Sequence, residues 1–370
     1  MRLCNASVVP NRWRWAFVAA VGTAAGAPGA LALQAPRFAV ADLGTTQGSS
    51  PTGISDAGHV SGLYFAADGQ RRGFLWDDGV VSDIGTLGDI AQALAVNDSG
   101  VVVGYSVDTQ GRQRAVRVAG GVMSDLGVLH GGVHASANGI NDLGWIAGMS
   151  QRRIGNDTFQ RAALWRDGSV IDLGTFGGEY SEANAVNNAG QVVGWAWYPL
   201  PTRRPHAFLW SDSTGMIDLG TLGGYTSFAA DINDLGAVVG SSNVLPANGA
   251  SHAFMWTARD GMIDLGTVPG ADESSAAAIN NRGQVVGYSF LPIECRFEPF
   301  LWENGELQPL NELIDPDSGW NVVSVGDIND RGEIAAIARQ GQQPYHAVVL
   351  VPIPQTVPIG ESKEVESEVK

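Results

Sequence analysis

Five arginines gather in three short stretches of this sequence, Arg152 and Arg153, Arg203 and Arg204, and Arg296, with Trp195, Trp197 and Tyr198 just ahead of the second pair. A guanidinium stacks on aromatic faces and grips a carboxylate through two parallel hydrogen bonds. Arginine beside exposed aromatics therefore suits an acidic sugar, a carboxylate or a protein partner. The candidate ligand-binding residues are Arg152, Arg153, Trp197, Tyr198, Arg203, Arg204 and Arg296. The alternative for each is a solvated loop residue without a ligand.

Other chemistries find less support. His130 and His134 have the spacing of a zinc pair on a helix, but they flank Gly131 and Gly132 in a turn and lack the accompanying glutamate. No calcium loop of the D-x-D-x-D type and no nucleophile elbow of the G-x-S-x-G type is present. Neither a metal nor a cofactor is expected. Glu182, Asp231, Asp272, Glu273 and Asp327 are carboxylates that break the local repeat pattern. An acid–base pair drawn from them would make the chain an extracellular carbohydrate-active or lactone-ring lyase or hydrolase working in a central channel. Asp231 and Asp327 can equally be variants at one strand position.

The elements that must position these residues follow from an internal repeat. Ile217 to Gly224, Ala230 to Asp234, Val238 to Gly240 and His252 to Trp256 are matched one unit earlier by Asp172 to Gly174, Ala185 to Asn187, Val192 to Gly194 and His206 to Trp210. One landmark glycine recurs at Gly62, Gly104, Gly148, Gly194, Gly240 and Gly287, with Ala336 in seventh place, at intervals of 42 to 49 residues. Such a period fits propeller blades or helical repeats. Each unit holds four short runs rich in Val, Ile, Leu, Phe and Trp, and none carries a long 3.6-residue pattern, which rules out the helical repeats.

Asn-Asp-x-Gly recurs at Asn97, Asn141, Asn233 and Asn329 as the tight turn between the first two strands. The meander is strand a (Ala276 to Asn280 type), b (Gln284 to Ser289 type), c (Phe300 to Trp302 type) and d (Met262 to Leu265 type). Phe38 to Leu43 is a d strand ahead of any a strand, and the last unit stops at strand c, Ala347 to Val351. Pairing of these ends closes a seven-bladed, all-β propeller over residues 38–353 and removes the open edges. Six blades with a stray unit, or an open solenoid, are the competing arrangements. In the propeller, the b-to-c loops share one face with the d-to-a connections. The variable b-to-c loops are Gln151 to Gln160, Tyr198 to Pro205, Asn243 to Ser251 and Phe290 to Glu298, and they carry all five arginines.

Groups repeated in most units are read as scaffold. Asp42, Asp83, Asp125, Asp172, Asp218 and Asp264, each before an apolar residue and Gly, are expected to bond turns or strand ends. Trp76, Trp165, Trp210, Trp256 and Trp302 are expected to pack blade on blade.

The elements His206-Ala207-Phe208 and His252-Ala253-Phe254 resemble those of the HAF-repeat family of bacterial extracellular proteins, and the likeness covers nearly the whole repeat region. It implies a secreted, propeller-like protein and brings no catalytic residues. Other units depart from it, with Arg72, Arg114, Arg161 and Glu298 in the histidine position, so that histidine is dispensable to the blade.

The 370 residues include 49 glycines and only 16% charged side chains, a composition suited to short strands and turns. Arg2, Arg12 and Arg14 precede an apolar stretch ending at Ala30-Leu31-Ala32, the layout of a secretory signal peptide over 1–32, followed by a short leader, 33–37. Cys4 would leave with it, so the mature chain would hold no internal disulfide. The formal charge of −16 argues against nucleic-acid partners. Residues 354–370 read as a disordered acidic tail. The expected product is a secreted or extracellular monomer, periplasmic or cell-surface associated, without a membrane span after signal removal. It binds or scaffolds an unknown extracellular protein or glycan through the b-to-c face.

Overall fold

Short runs of β-branched and aromatic residues between glycine turns favour pairing with their neighbours in sequence, and all but the first strand follow this. The computed structural model describes residues 37–45, 48–66, 68–245 and 249–354. The signal peptide, most of the leader, Cys4 and nearly all of the acidic tail lie outside these residues, and with them the expectations they carry. Seven four-stranded antiparallel sheets form a ring, giving a seven-bladed β-propeller. Blades 1 to 6 span 50–83, 88–125, 135–174, 181–218, 223–266 and 273–309.

Blade 7 is composite. Its a, b and c strands are Trp320–Ile328, Ile334–Gln340 and His346–Pro352, and its d strand is the N-terminal Phe38–Asp42. The register runs from Phe38 opposite Pro352 to Asp42 opposite Val348. The same N-terminal segment also reaches the neighbouring blade: Arg37 and Phe38 amides donate to Leu313 O, and the Arg37 guanidinium lies 2.5 Å from Glu303. Both ends of the sheet circle are thereby paired.

Burial follows from each blade facing two others. Strands a to c bury side chains on both surfaces, as in Val192–Trp197, whereas the outer d strands are short and exposed, as in Val80–Asp83. Among the described residues, most buried apolar side chains form seven clusters, each bridging one pair of adjacent blades. Trp165 and Trp210 belong to two of these clusters, and Trp76, Trp256 and Trp302 pack against three others, which is the blade-on-blade role expected of them.

The landmark glycine has a steric cause. In blade 5, strands a and b pair with a bulge between Ala229 and Asp231, and a Cβ on Gly240 would stand 2.0 Å from Phe228 O. The freed space on the other side takes Phe254, which is fully buried opposite Gly240. In blade 7 the equivalent position, opposite Val325 at the bulge between Val325 and Asp327, holds Ala336.

One expectation needs correction. Gln151 to Gln160 is not a loop: strands Ile146–Ile154 and Asp157–Arg166 continue their ladder to the pair Ile154–Asp157, with Gly155 turning at φ +63°. Polar side chains at 151–160 alternate between the two surfaces of a protruding hairpin, and polarity was mistaken for irregular backbone. Strands likewise extend into Phe290 to Glu298, leaving a turn between Leu291 and Arg296.

Candidate functional site

Two ends of the ring offer functional surfaces, and their chemistry differs. At one end the a-to-b turns of all seven blades surround a hollow of ≈ 180 Å³. Each turn closes on a glycine, as where the Gly236 amide donates to Asn233 O. The asparagine also ties blades together: Asn97 Nδ2 donates to Asn141 O, Asn141 to Asn187 O, and so on around to Asn329, which donates to Ser55 O. The next residue adds a second tie, for example the Asp98 amide to Asp142 Oδ1 and the Asp330 amide to Asp56 Oδ1. Burial first, then repulsion from Asp330 and Asp98, raises the Asp56 carboxyl above its ordinary value, although the Asp330 amide bond opposes this. These carboxylates hold backbone amides, and no group of three metal-ligating side chains occurs among the described residues.

Three of the five carboxylates that break the repeat are likewise engaged, Asp231, Asp327 and Glu182. Asp231 Oδ2 accepts from the Ile279 amide at 2.9 Å and Asp327 Oδ2 from the Ile54 amide at 3.0 Å, each tying its blade to the next. They occupy equivalent places after the strand-a bulge, variants of one position. Glu182 accepts from Asn138 Nδ2 at 3.0 Å and Gln160 Nε2 at 2.9 Å. Burial, reinforced by Asp272, raises the Glu273 carboxyl.

At the opposite end the repeated aspartates define the frame. Each bonds the amide two residues on, as Asp218 Oδ1 does Gly220 at 2.8 Å. The second oxygen faces the arginine or histidine at the variable first position of the His-Ala-Phe element: Arg72 with Asp83, Arg114 with Asp125, His206 with Asp218, His252 with Asp264 and His346 with Asp42. Histidine and arginine interchange there because either donates to the carboxylate. Burial alone would raise Asp218, but hydrogen bonds from His206, the Gly220 amide and Tyr198 outweigh it and hold the carboxyl below its usual range. Burial and the bond to Asp218 push the Tyr198 hydroxyl up to about 12.

On this frame the structure brings Trp197, Tyr198, Arg203 and Arg204 together. Tyr198 stacks on Phe176 at 5.0 Å and donates to Asp218 at 2.8 Å. Arg203 lies over Trp197 at 5.6 Å and pairs with Glu179 at 3.0 Å, and its backbone takes φ +40°, a region that non-glycine residues seldom enter. Arg204 lies 3.6 Å over Tyr225, a blade 5 residue that is 53% exposed. Arg152 pairs with Asp172 on its own blade, and Arg153 Nε donates to Gly155 O. Arg296 is in blade 6, paired with Glu298 on its own strand, and does not join the group.

Four members of this surface are not marked as binding residues by the sequence: Phe159, Tyr180, Tyr225 and Arg161, the last singled out only at the His-Ala-Phe position. Phe159 meets Tyr180 at 6.1 Å, Tyr180 meets Trp197 at 5.5 Å, and Arg161 lies over Phe159 at 5.9 Å. They come from a c strand of blade 3, the connection into blade 4 and an a strand of blade 5, so no local pattern joins them. The departure of Phe159 and Tyr180 from the repeat was the available signal.

No family model matches the chain, and no curated protein matches it. Solved structures do resemble it. A puromycin-hydrolyzing peptidase from Mycobacterium tuberculosis aligns at 12% identity and a TM-score of 0.55, over 83% of this chain and 52% of that one. A puromycin hydrolase aligns at 14% identity and a TM-score of 0.55, again over 83% and 52%. The chain thus spans about half the length of these proteins. The β-propeller domain of the Trilobed protease from Pyrococcus furiosus aligns at 14% identity and a TM-score of 0.48, over 72% and 84%. At these identities the likeness is one of fold.

Proposed function

We propose that this chain is a secreted binding or scaffolding module whose partner, an extracellular glycan or protein, seats on the b-to-c face of blades 3 to 5. The observation that carries the reading is the convergence of Phe159, Tyr180, Trp197, Arg203, Arg204 and Tyr225, from three blades, into one partly exposed aromatic–arginine surface. Aromatics and arginine are the side chains that dominate binding surfaces, because they combine large contact area with directed polar groups. Engagement of Asp231 and Asp327 with backbone amides supports binding rather than turnover in the channel. The His-Ala-Phe resemblance and the leader-like N-terminus support placement outside the cell.

A glycan and protein array tests the proposal, with the Arg203→Ala, Arg204→Ala double variant as comparison. The expected result is a bound partner whose signal drops by about tenfold or more in the variant, at unchanged thermal stability. Equal binding by both proteins would contradict the assignment of this surface.

A further inference from the structure

Within that b-to-c surface, and resting on its assignment as the binding face, five side chains form a continuous strip. Arg161, Phe159, Tyr180, Trp197 and Arg203 follow one another at 5.9, 6.1, 5.5 and 5.6 Å. Three aromatic rings at nearly even spacing are thus bracketed by a guanidinium at each end. Tyr180 is turned about 70° to both neighbours, and all three rings keep part of their surface in solvent. A separate observation concerns Arg161: its Nε is buried and has no hydrogen-bond partner. A buried donor left unpaired is costly, and a charged one more so, unless an acceptor arrives from outside.

We infer that the strip binds an acidic oligosaccharide, a chain of uronic-acid type, with sugar rings against Phe159, Tyr180 and Trp197 and carboxylates at Arg161 and Arg203. Two features select this class. A row of evenly spaced rings, the middle one edge-on to the other two, fits a ligand that offers apolar C–H surface at every repeat and turns between units, whereas an extended peptide sends successive side chains to opposite sides. Guanidinium groups at the ends match carboxylates in a planar, two-bonded geometry and leave a neutral sugar with nothing to offer them. Glu179, paired with Arg203 at 3.0 Å in an exposed position, is the carboxylate the ligand displaces.

Calorimetry on the full chain tests this with oligogalacturonate, a neutral cello-oligosaccharide of equal length and poly-glutamate. Oligogalacturonate should bind, and added salt should weaken it. Tyr180→Ala and Arg203→Glu should each weaken it on the order of tenfold or more while melting as the unaltered protein does. Arg203→Glu carries the test if Arg161→Gln or Tyr180→Ala disturbs folding, because Arg203 stands in an exposed loop. Equal binding of the neutral sugar would overturn the acidic class, and equal binding of poly-glutamate would overturn the need for sugar rings. Failure of all three probes would overturn the inference alone, and the array experiment with the double variant would still decide the b-to-c face.

Discussion

At the scale of single residues, the interchange of His and Arg at one blade position is explained by its partner. Five of the seven units place an arginine or a histidine there against the aspartate of strand d. The aspartate's turn-capping role was legible in the sequence from its recurrence before Gly, but the side chain facing it was not, since the two stand on different strands, about a dozen residues apart in four units and at opposite ends of the repeat region for His346 and Asp42. A pH dependence follows. Asp218 is held below its ordinary value, so its contribution to stability is present above about pH 3.9, where an unfolded aspartate ionises, and is lost as pH falls through the lower folded value. Asp218→Asn should therefore lower the melting temperature at pH 7, and the gap to the unaltered protein should narrow below about pH 3.9. A gap that stays constant down to acid unfolding would show that ionised Asp218 contributes nothing.

At the scale of elements, the four-strand unit and its tight a-to-b turn were legible because glycine and β-branched residues recur with fixed spacing. The inter-blade role of the same turns was not. In sequence, Asn97 and Asn141 are two copies of one turn; in space, the first donates its side chain to the second's carbonyl. A repeat shows what every unit needs, but not whether the need is internal or between neighbours. Hairpin ends were misjudged at 151–160 for a related reason, since polar residues on a protruding ladder look like loop. The glycine of strand b offers the sharpest check on the blade geometry. Gly240→Ala sets a Cβ at 2.0 Å from Phe228 O, against backbone rather than a movable side chain. It should cost about 1–3 kcal/mol or more, read from denaturant unfolding, whereas Ala336→Gly at the equivalent place in blade 7 should cost less. Equal costs would mean that the bulge does not set the glycine.

At the scale of the whole molecule, the ring fixes what the loops can do. Phe159, Tyr180, Trp197 and Tyr225 come from three adjacent blades, which the apolar clusters between blades 3 and 4 and between blades 4 and 5 hold against one another. The arginine pairs were visible in sequence as cations in variable stretches of an acidic chain, and Trp197 and Tyr198 were visible beside the second pair. Phe159, Tyr180 and Tyr225 were not, because they sit in regular strands and connections of other units. Closure itself depends on five residues, Phe38–Asp42, paired with His346–Pro352 more than 300 positions away. Hydrogen–deuterium exchange of the intact protein measures this pairing without any substitution. The account predicts slow exchange of the ladder amides in Phe38–Asp42, matching that of His346–Pro352. Rapid exchange of Phe38–Asp42 while the other strands stay protected would contradict the closed ring.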